Sequence, residues 1–449
     1  MAVVYTGTFG RTQAERLLWR AGLGPRPGEV STLVERGLAA SVDALVSPTT
    51  PTTLEGAAPR LDGGRRLDPE STRGHEQLWW LDRMVRVNNP FRERMTLIWH
   101  DWFATSNVGV NDQRLMLQQN RTIRRLAIAT FPELLREMTR DPAMLVWLSG
   151  NKNVKDAPNE NYGREMMELF TLGANARFSE ADVREQSRAL TGWASKWDST
   201  GYTDFFFDQQ RHDSGLKTVF GKRGYFDWAD SCQMCVEHPD HPRFFVRKLW
   251  SYFIPSAPSP TTLAVLMATY RDSGFAIEPV VRGILLHPDM YSSARMPKSP
   301  ILYLAGLMRL RRATIDGSGL ATVMRDAGQT LFHPPNVDGW DDLAWLNTST
   351  FRGRWMAARS VCARDTLNPH DPAVQAACDP TESAQTAVAL ALAYWGSPTI
   401  GAATRGELVA FAQRCQDKAT GDWARVYYRI MRANALRLLI ATSPEFQTC

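Results

Sequence analysis

The chain has 449 residues, 44% of them apolar and 22% charged, and a formal net charge of +5. That length excludes a disulfide-stapled mini-domain, and the composition excludes wholesale disorder. Mild positive charge with no basic block argues against nucleic acid as a partner.

The N-terminus, MAVVYTGTFGRTQAERLLWRAGLG, lacks a basic region followed by an apolar run, and no stretch approaches the ~20 apolar residues that span a bilayer. As written, the sequence reads as cytoplasmic and without a membrane span; it reads as exported only if a leader has been removed. The six cysteines fit either compartment. Cys362 with Cys378 and Cys415 with Cys449 are pairings open to an exported protein, and free thiols suit a reducing one.

In chain order, residues 11–21 predict a helix stopped by Gly22 and Gly24-Pro25, and 27–47 predict two short helices split at Gly37. The Pro/Gly/Thr-rich stretch 48–64 predicts a surface loop. Amphipathic helices come next over 73–88, 90–104, 111–128, 131–140, 159–173 and 179–192, the last opened by the capping-box-like Ser179-x-x-Asp182. Short β-type runs at 203–210 and 216–220 predict a hairpin whose tip is 211–215. Helices resume at 226–235, 241–254, 259–273, 276–286 and 298–312, and again at 351–364, 384–395, 404–418 and 422–440. Between them, 331–350 is rich in Pro, Gly, Asn and Asp, yet it holds two Trp, a composition suited to a loop packed against something functional.

The expected fold class is mainly α, one large multi-helical domain with a small β-hairpin insertion. Its parts are an N-terminal helical half over 1–200, the insertion over 201–225 and a C-terminal helical half over 226–449, in one compact unit.

Several segments occur together and in order: RAGLGP, WHDWFATS (99–106), NENYGREMMELFTLGANARFSEADVREQSRALTGW (159–193), RHDSGLKTVFGKRGYFDW (211–228) leading to HPRFFVRKLWSYF (241–253), and PPNVDGWDDLAWLNTSTFRGRW (334–355). This arrangement closely resembles the bacterial domain-of-unknown-function family numbered 1800, over nearly the whole chain. The resemblance implies a protein that is often exported and often encoded beside sulfatase-like or phosphatase-like proteins; it implies no reaction.

Chemistry is concentrated in a few places. On a regular helix over 159–173, Asn161, Glu165 and Glu168 fall at about −140°, −100° and −160° from Met166, so two carboxylates and an amide share one stripe. The simpler account is a solvated face with Arg164 pairing Glu168. The sharper one is a carboxylate pair in a cleft, one member raised to act as an acid and the other kept ionised by Arg164. His212-Asp213, at the expected hairpin tip, can serve as acid/base or simply build an Asp-Ser-Gly turn. His100, between Trp99 and Trp102, reads as a hydrogen-bonded core residue. Asn336, Asp338, Trp340, Asn347 and Arg352 suit a sugar ring, with polar groups for hydroxyls and an indole face for stacking, or else a turn-rich loop pinned by its Trp. Cys232, Cys235, His238 and His241 have metal-ligand chemistry, but two-residue gaps leave no loop to wrap an ion, so a helix–loop–helix junction is expected.

No P-loop, Rossmann glycine fingerprint, nucleophile elbow or H-E-x-x-H is present. The reading these residues favour is a hydrolase acting on carbohydrate by a paired-carboxylate mechanism. Glu165, Glu168, His212 and Asp213 would be catalytic, and Asn159, Asn161, Arg164, Trp193, Asn336, Asp338, Trp340, Asn347 and Arg352 would hold substrate. No cofactor is required by it. The alternatives are a metal-dependent hydrolase or oxidase with a divalent ion among His100, Glu165, Glu168 and His212, and a non-catalytic carbohydrate- or protein-binding module.

Overall fold

The computed structural model describes residues 3–199, 201–379 and 381–449. The fold is mainly α with small two-stranded antiparallel hairpins. Most helices form where the apolar period predicts them: Arg11–Arg20, then Glu29–Arg36 and Leu38–Val46 divided at Gly37, whose φ of +79° suits glycine. Ser179 and Asp182 form the expected reciprocal cap on Glu180–Ala189. The short helix Pro142–Trp147 is additional, begun by an Asp141 cap and Pro142 at its first position.

The β region differs from the expected single hairpin. Strand β1 (Trp193–Asp198) pairs with β2 (Gly201–Phe207) in the register Trp193↔Phe207, and β3 (Lys217–Val219) pairs with β4 (Lys222–Gly224). The segment 211–215 is therefore a connection between two hairpins, not a tip. The second hairpin turns at Phe220-Gly221, both at positive φ (+49° and +74°), the geometry of the two-residue turns that match strand twist.

Two apolar clusters form the core. One joins Leu17, Trp99, Phe131 and Phe170 to Phe245, Tyr270 and Tyr291; the other joins Trp80, Leu117 and Trp19 to Tyr303, Trp395, Leu436 and Phe446. Each draws on residues from both sides of the hairpins. In the first, the Phe245 and Tyr270 rings stack in parallel at 4.0 Å, and Trp99 and Trp102 pack tilted at 5.1 Å. Such pairs contribute about 0.5–1.5 kcal/mol each beyond area burial. Among the described residues, no helix is long and apolar enough to cross a membrane.

Candidate functional site

The segment expected as one regular helix over 159–173 changes character midway. Glu160–Glu165 is α-helical, and Met166–Thr171 widens into a π-turn in which Leu172 N–H reaches back five residues to the Met167 carbonyl (2.8 Å). One extra residue in a turn rotates the residues after it by about 100°, so the regular-helix angles fail beyond this turn, although Arg164 and Glu168 still pair at i,i+4. Single π-turns inside α-helices cost hydrogen-bond geometry and are frequent at functional sites.

This turn is held by side chains on its carbonyls. Lys248 Nζ donates to Leu169 O (3.0 Å), the Trp102 indole N–H to Phe170 O (3.0 Å) and His241 Nδ1–H to Thr171 O (2.8 Å). The donors come from two helices, Phe91–Trp102 and His241–Ser251. Lys248 also sits over the Trp102 ring at 4.6 Å. Burial pulls its ammonium down to about 8, against the opposing pull of Asp101 and Asp338.

Asp101 links the turn to the 334–342 loop. One carboxylate oxygen accepts from Tyr252 O–H (2.6 Å) and the other from Trp340 N–H (2.8 Å). Burial raises the Asp101 carboxyl, and those two bonds hold it back. Gly339, at φ +93°, passes so close that a Cβ there would lie 2.3 Å from Asp101 Oδ1. Only glycine fits. The preceding Asn336 carboxamide accepts Asp338 N–H (2.9 Å), so the loop turns tightly and leaves Asp338 exposed.

Glu165 is half-buried, and its carboxyl is raised first by burial, then by the negative charges of Glu168 and Asp338. Arg164 opposes this weakly because it is shared: its guanidinium bonds Glu160 (3.1 Å), Glu168 (3.3 Å) and Glu180 (2.7 Å). The structure thus groups Glu165, Glu168 and Asp338 electrostatically, with Lys248 and the Asp101–Tyr252 pair beside them. Asp101 and Tyr252 also line a small cavity of about 40 Å³ with Arg94 and Asp342.

The other sequence candidates have separate surroundings. His212 Nδ1 bonds the Thr191 carbonyl (2.9 Å) and its ring packs on Phe207. Asp213 is chelated by Arg188 (2.6 and 3.2 Å) and capped by Gly215 N–H, which holds it below the usual carboxylate range. No described hydrogen bond, ion pair or ring contact joins either residue to Glu165, Glu168 or Trp340. Trp193 is buried between Phe207 and Trp228. Asn159 caps the Glu160–Glu165 helix through Asn161 N–H, and Asn161 itself donates to Leu148 O. Asn347 caps the Thr348–Cys362 helix, and Arg352 is exposed on its second turn. Trp340, half-buried, lies 5.5 Å from the His100 ring. His100 is a core residue, as its neighbours suggest, but its Nε2 has no hydrogen-bond partner, and burial takes it to about 3.

The Cys/His cluster disperses. Cys232 faces Thr139, Cys235 accepts from Gln186, His238 faces the Arg177 carbonyl, and His241 spans Thr171 O and Tyr270 O–H. Among the described residues no three His, Cys, Asp or Glu converge as metal ligands, and all six cysteines are free thiols.

Lys248, Asp101 and Tyr252 are the members that sequence reasoning overlooks. A signal exists for two of them: Phe244, Lys248 and Tyr252 recur every four residues, so the lysine shares a helix face with two aromatics.

A family model described as "Protein of unknown function (DUF1800)" matches residues 16–448. No curated protein and no solved structure matches. The chain belongs to the DUF1800 family.

Proposed function

We propose that this DUF1800 protein is a hydrolase of carbohydrate, with Glu165 as general acid. The observation that carries this reading is the division between two carboxylates in one segment: Glu165 is raised by burial and negative neighbours, whereas Glu168 is tied to Arg164. A carboxyl raised toward its acid form, next to a carboxylate paired with an arginine, is the kind of division that glycosidic cleavage uses. Glu165 gives its proton to the leaving oxygen as the C–O bond breaks. Asp338, exposed on the facing loop, supports the positive charge that develops on the sugar and takes the proton of the water as it adds to the anomeric carbon. Trp340 offers an indole face for the ring.

Release of product from a glycan panel, measured for wild type and Glu165→Gln, tests the reading. The variant is expected to lose turnover while its unfolding free energy from urea titration stays within about 0.5 kcal/mol of wild type, as for other surface-proximal changes. Full activity in Glu165→Gln would sink the mechanism.

A further inference from the structure

Outside the acid cluster, the Arg11–Arg20 helix and the segments near 26, 295–298 and 395–399 enclose a cavity of about 210 Å³. The cavity is open to solvent on one side, so a ligand can seat its charged end there without fitting wholly inside. Its walls carry five cationic side chains against two carboxylate side chains, Glu15 and Glu445. Local pairing removes part of that excess. Arg11 meets Glu15 at 3.0 Å, and Arg26 meets Glu55. Glu445 is engaged by Gly401 N–H and the Thr404 hydroxyl.

Arg16, Arg295 and Lys298 remain, and among the described residues no ion pair joins any of them to a carboxylate side chain. Arg16 donates to the Ser292 carbonyl, and Arg295 to the Thr448 hydroxyl at 3.4 Å. Lys298 is only 2% exposed, its Nζ 3.6 Å over the Trp19 ring and bonded to one carbonyl, Phe446 O at 2.9 Å. An ammonium has three donors, and a buried one without a counter-ion is costly. Burial depresses Lys298 to about 7; the negative charges of Cys449 and Glu15 resist this, and Arg354 and Arg295 add to it. The Cys449 main-chain oxygen is itself taken by Arg20 at 2.8 Å, so it serves the cavity cations only in part. Arg16, Arg295 and Lys298 thus line one cavity in which Cys449, Glu15 and Glu445 supply the negative charge, and their unused donors leave room for a further acceptor group.

We propose that this cavity binds a phosphate monoester of about monosaccharide size, its phosphoryl oxygens held by Arg16, Arg295 and Lys298 and its organic part against Pro398. A phosphate monoester carries about −1.5 to −2 charges at neutral pH, which meets three cations better than a single carboxylate does. Guanidinium forks match its oxygens. The inference does not depend on the hydrolase reading.

Thermal unfolding and calorimetric titration of the full chain test it, at matched ionic strength, with glucose 6-phosphate, inorganic phosphate, glucuronate and glucose as probes. Glucose 6-phosphate is expected to bind and raise Tm, inorganic phosphate to do so more weakly, and glucuronate and glucose to do neither. Arg16→Gln and Arg295→Gln should each weaken glucose 6-phosphate binding about tenfold, the worth of one charge-assisted hydrogen bond. Arg295 is exposed, so its variant keeps the fold and the test open. Equal binding in Arg295→Gln, a Tm shift no larger than that from added KCl, or glucuronate binding as tightly as the sugar phosphate would each overturn the proposal.

Discussion

Replacing Lys248 by Met probes the centre of the acid cluster through stability alone. The lysine's ordinary value of 10.5 falls to about 8 in the folded chain, chiefly by burial. Between these two values the unfolded chain binds one more proton than the folded one, so stability must rise with pH across that window. The drop is worth about 3 kcal/mol at roughly 1.36 kcal/mol per unit. Below pH 8 the cost of the buried charge is fully present; as pH climbs to 10.5 it disappears. Methionine carries no charge and has no such dependence. It also loses the bond to the Leu169 carbonyl and the contact over Trp102, together about 1–2 kcal/mol. Urea unfolding of both proteins from about pH 7 to 10.5 should therefore show Lys248→Met at least as stable as wild type at the lower end. It should then lose ground by about 3 kcal/mol toward the upper end. Taking the difference cancels the tyrosines and other lysines that titrate in the same range. Parallel profiles would mean that Lys248 is as hydrated folded as unfolded, and the description of the cluster would fail.

Asp338→Asn removes both the group that handles the water and one of the negative charges that raise Glu165, so kcat should fall and the alkaline limb of the residual kcat/KM on a responsive glycan should shift toward acid. The shift is partial, because burial, the larger cause, stays; an unmoved limb would separate Asp338 from Glu165. Gly339→Ala meets Asp101 Oδ1 and requires a left-handed alanine. Strain of about 1–2 kcal/mol and a lost bond to a carboxylate of about 1.5–3 kcal/mol predict a total near 3 kcal/mol by urea titration, and a change below about 1 kcal/mol would refute the close approach. His212→Gln is expected to lower the unfolding midpoint through its Thr191 bond while leaving glycan turnover intact; loss of turnover with an unchanged midpoint would restore the imidazole to the chemistry.

The helical plan is legible in the sequence because it rests on apolar spacing and local caps, as Ser179 with Asp182 and the break at Gly37 show. The β region is half legible: alternation marks strands, but the Asp-Ser-Gly at 213–215 outbids the Phe220-Gly221 turn as a hairpin signal and is a turn of another kind. Within the acidic segment, Arg164 with Glu168 comes straight from helical spacing. The π-turn does not, since it is stabilised by donors 68 to 79 positions away in sequence, Trp102, His241 and Lys248. Asp101 is hidden for the same reason: its partners, Tyr252 and Trp340, are 151 and 239 residues distant.

The interleaved core has a consequence for synthesis. Trp80 emerges from the ribosome long before Phe446, with which it shares a cluster. At about 5–20 residues per second, the intervening stretch of roughly 370 residues takes on the order of 20–70 s to make. Trp80 meets His100 and Glu93 early in that interval, but its cluster is completed only when Phe446 and Leu436 arrive. Cutting the chain at the hairpins would divide both clusters, so neither half would carry a complete core of its own.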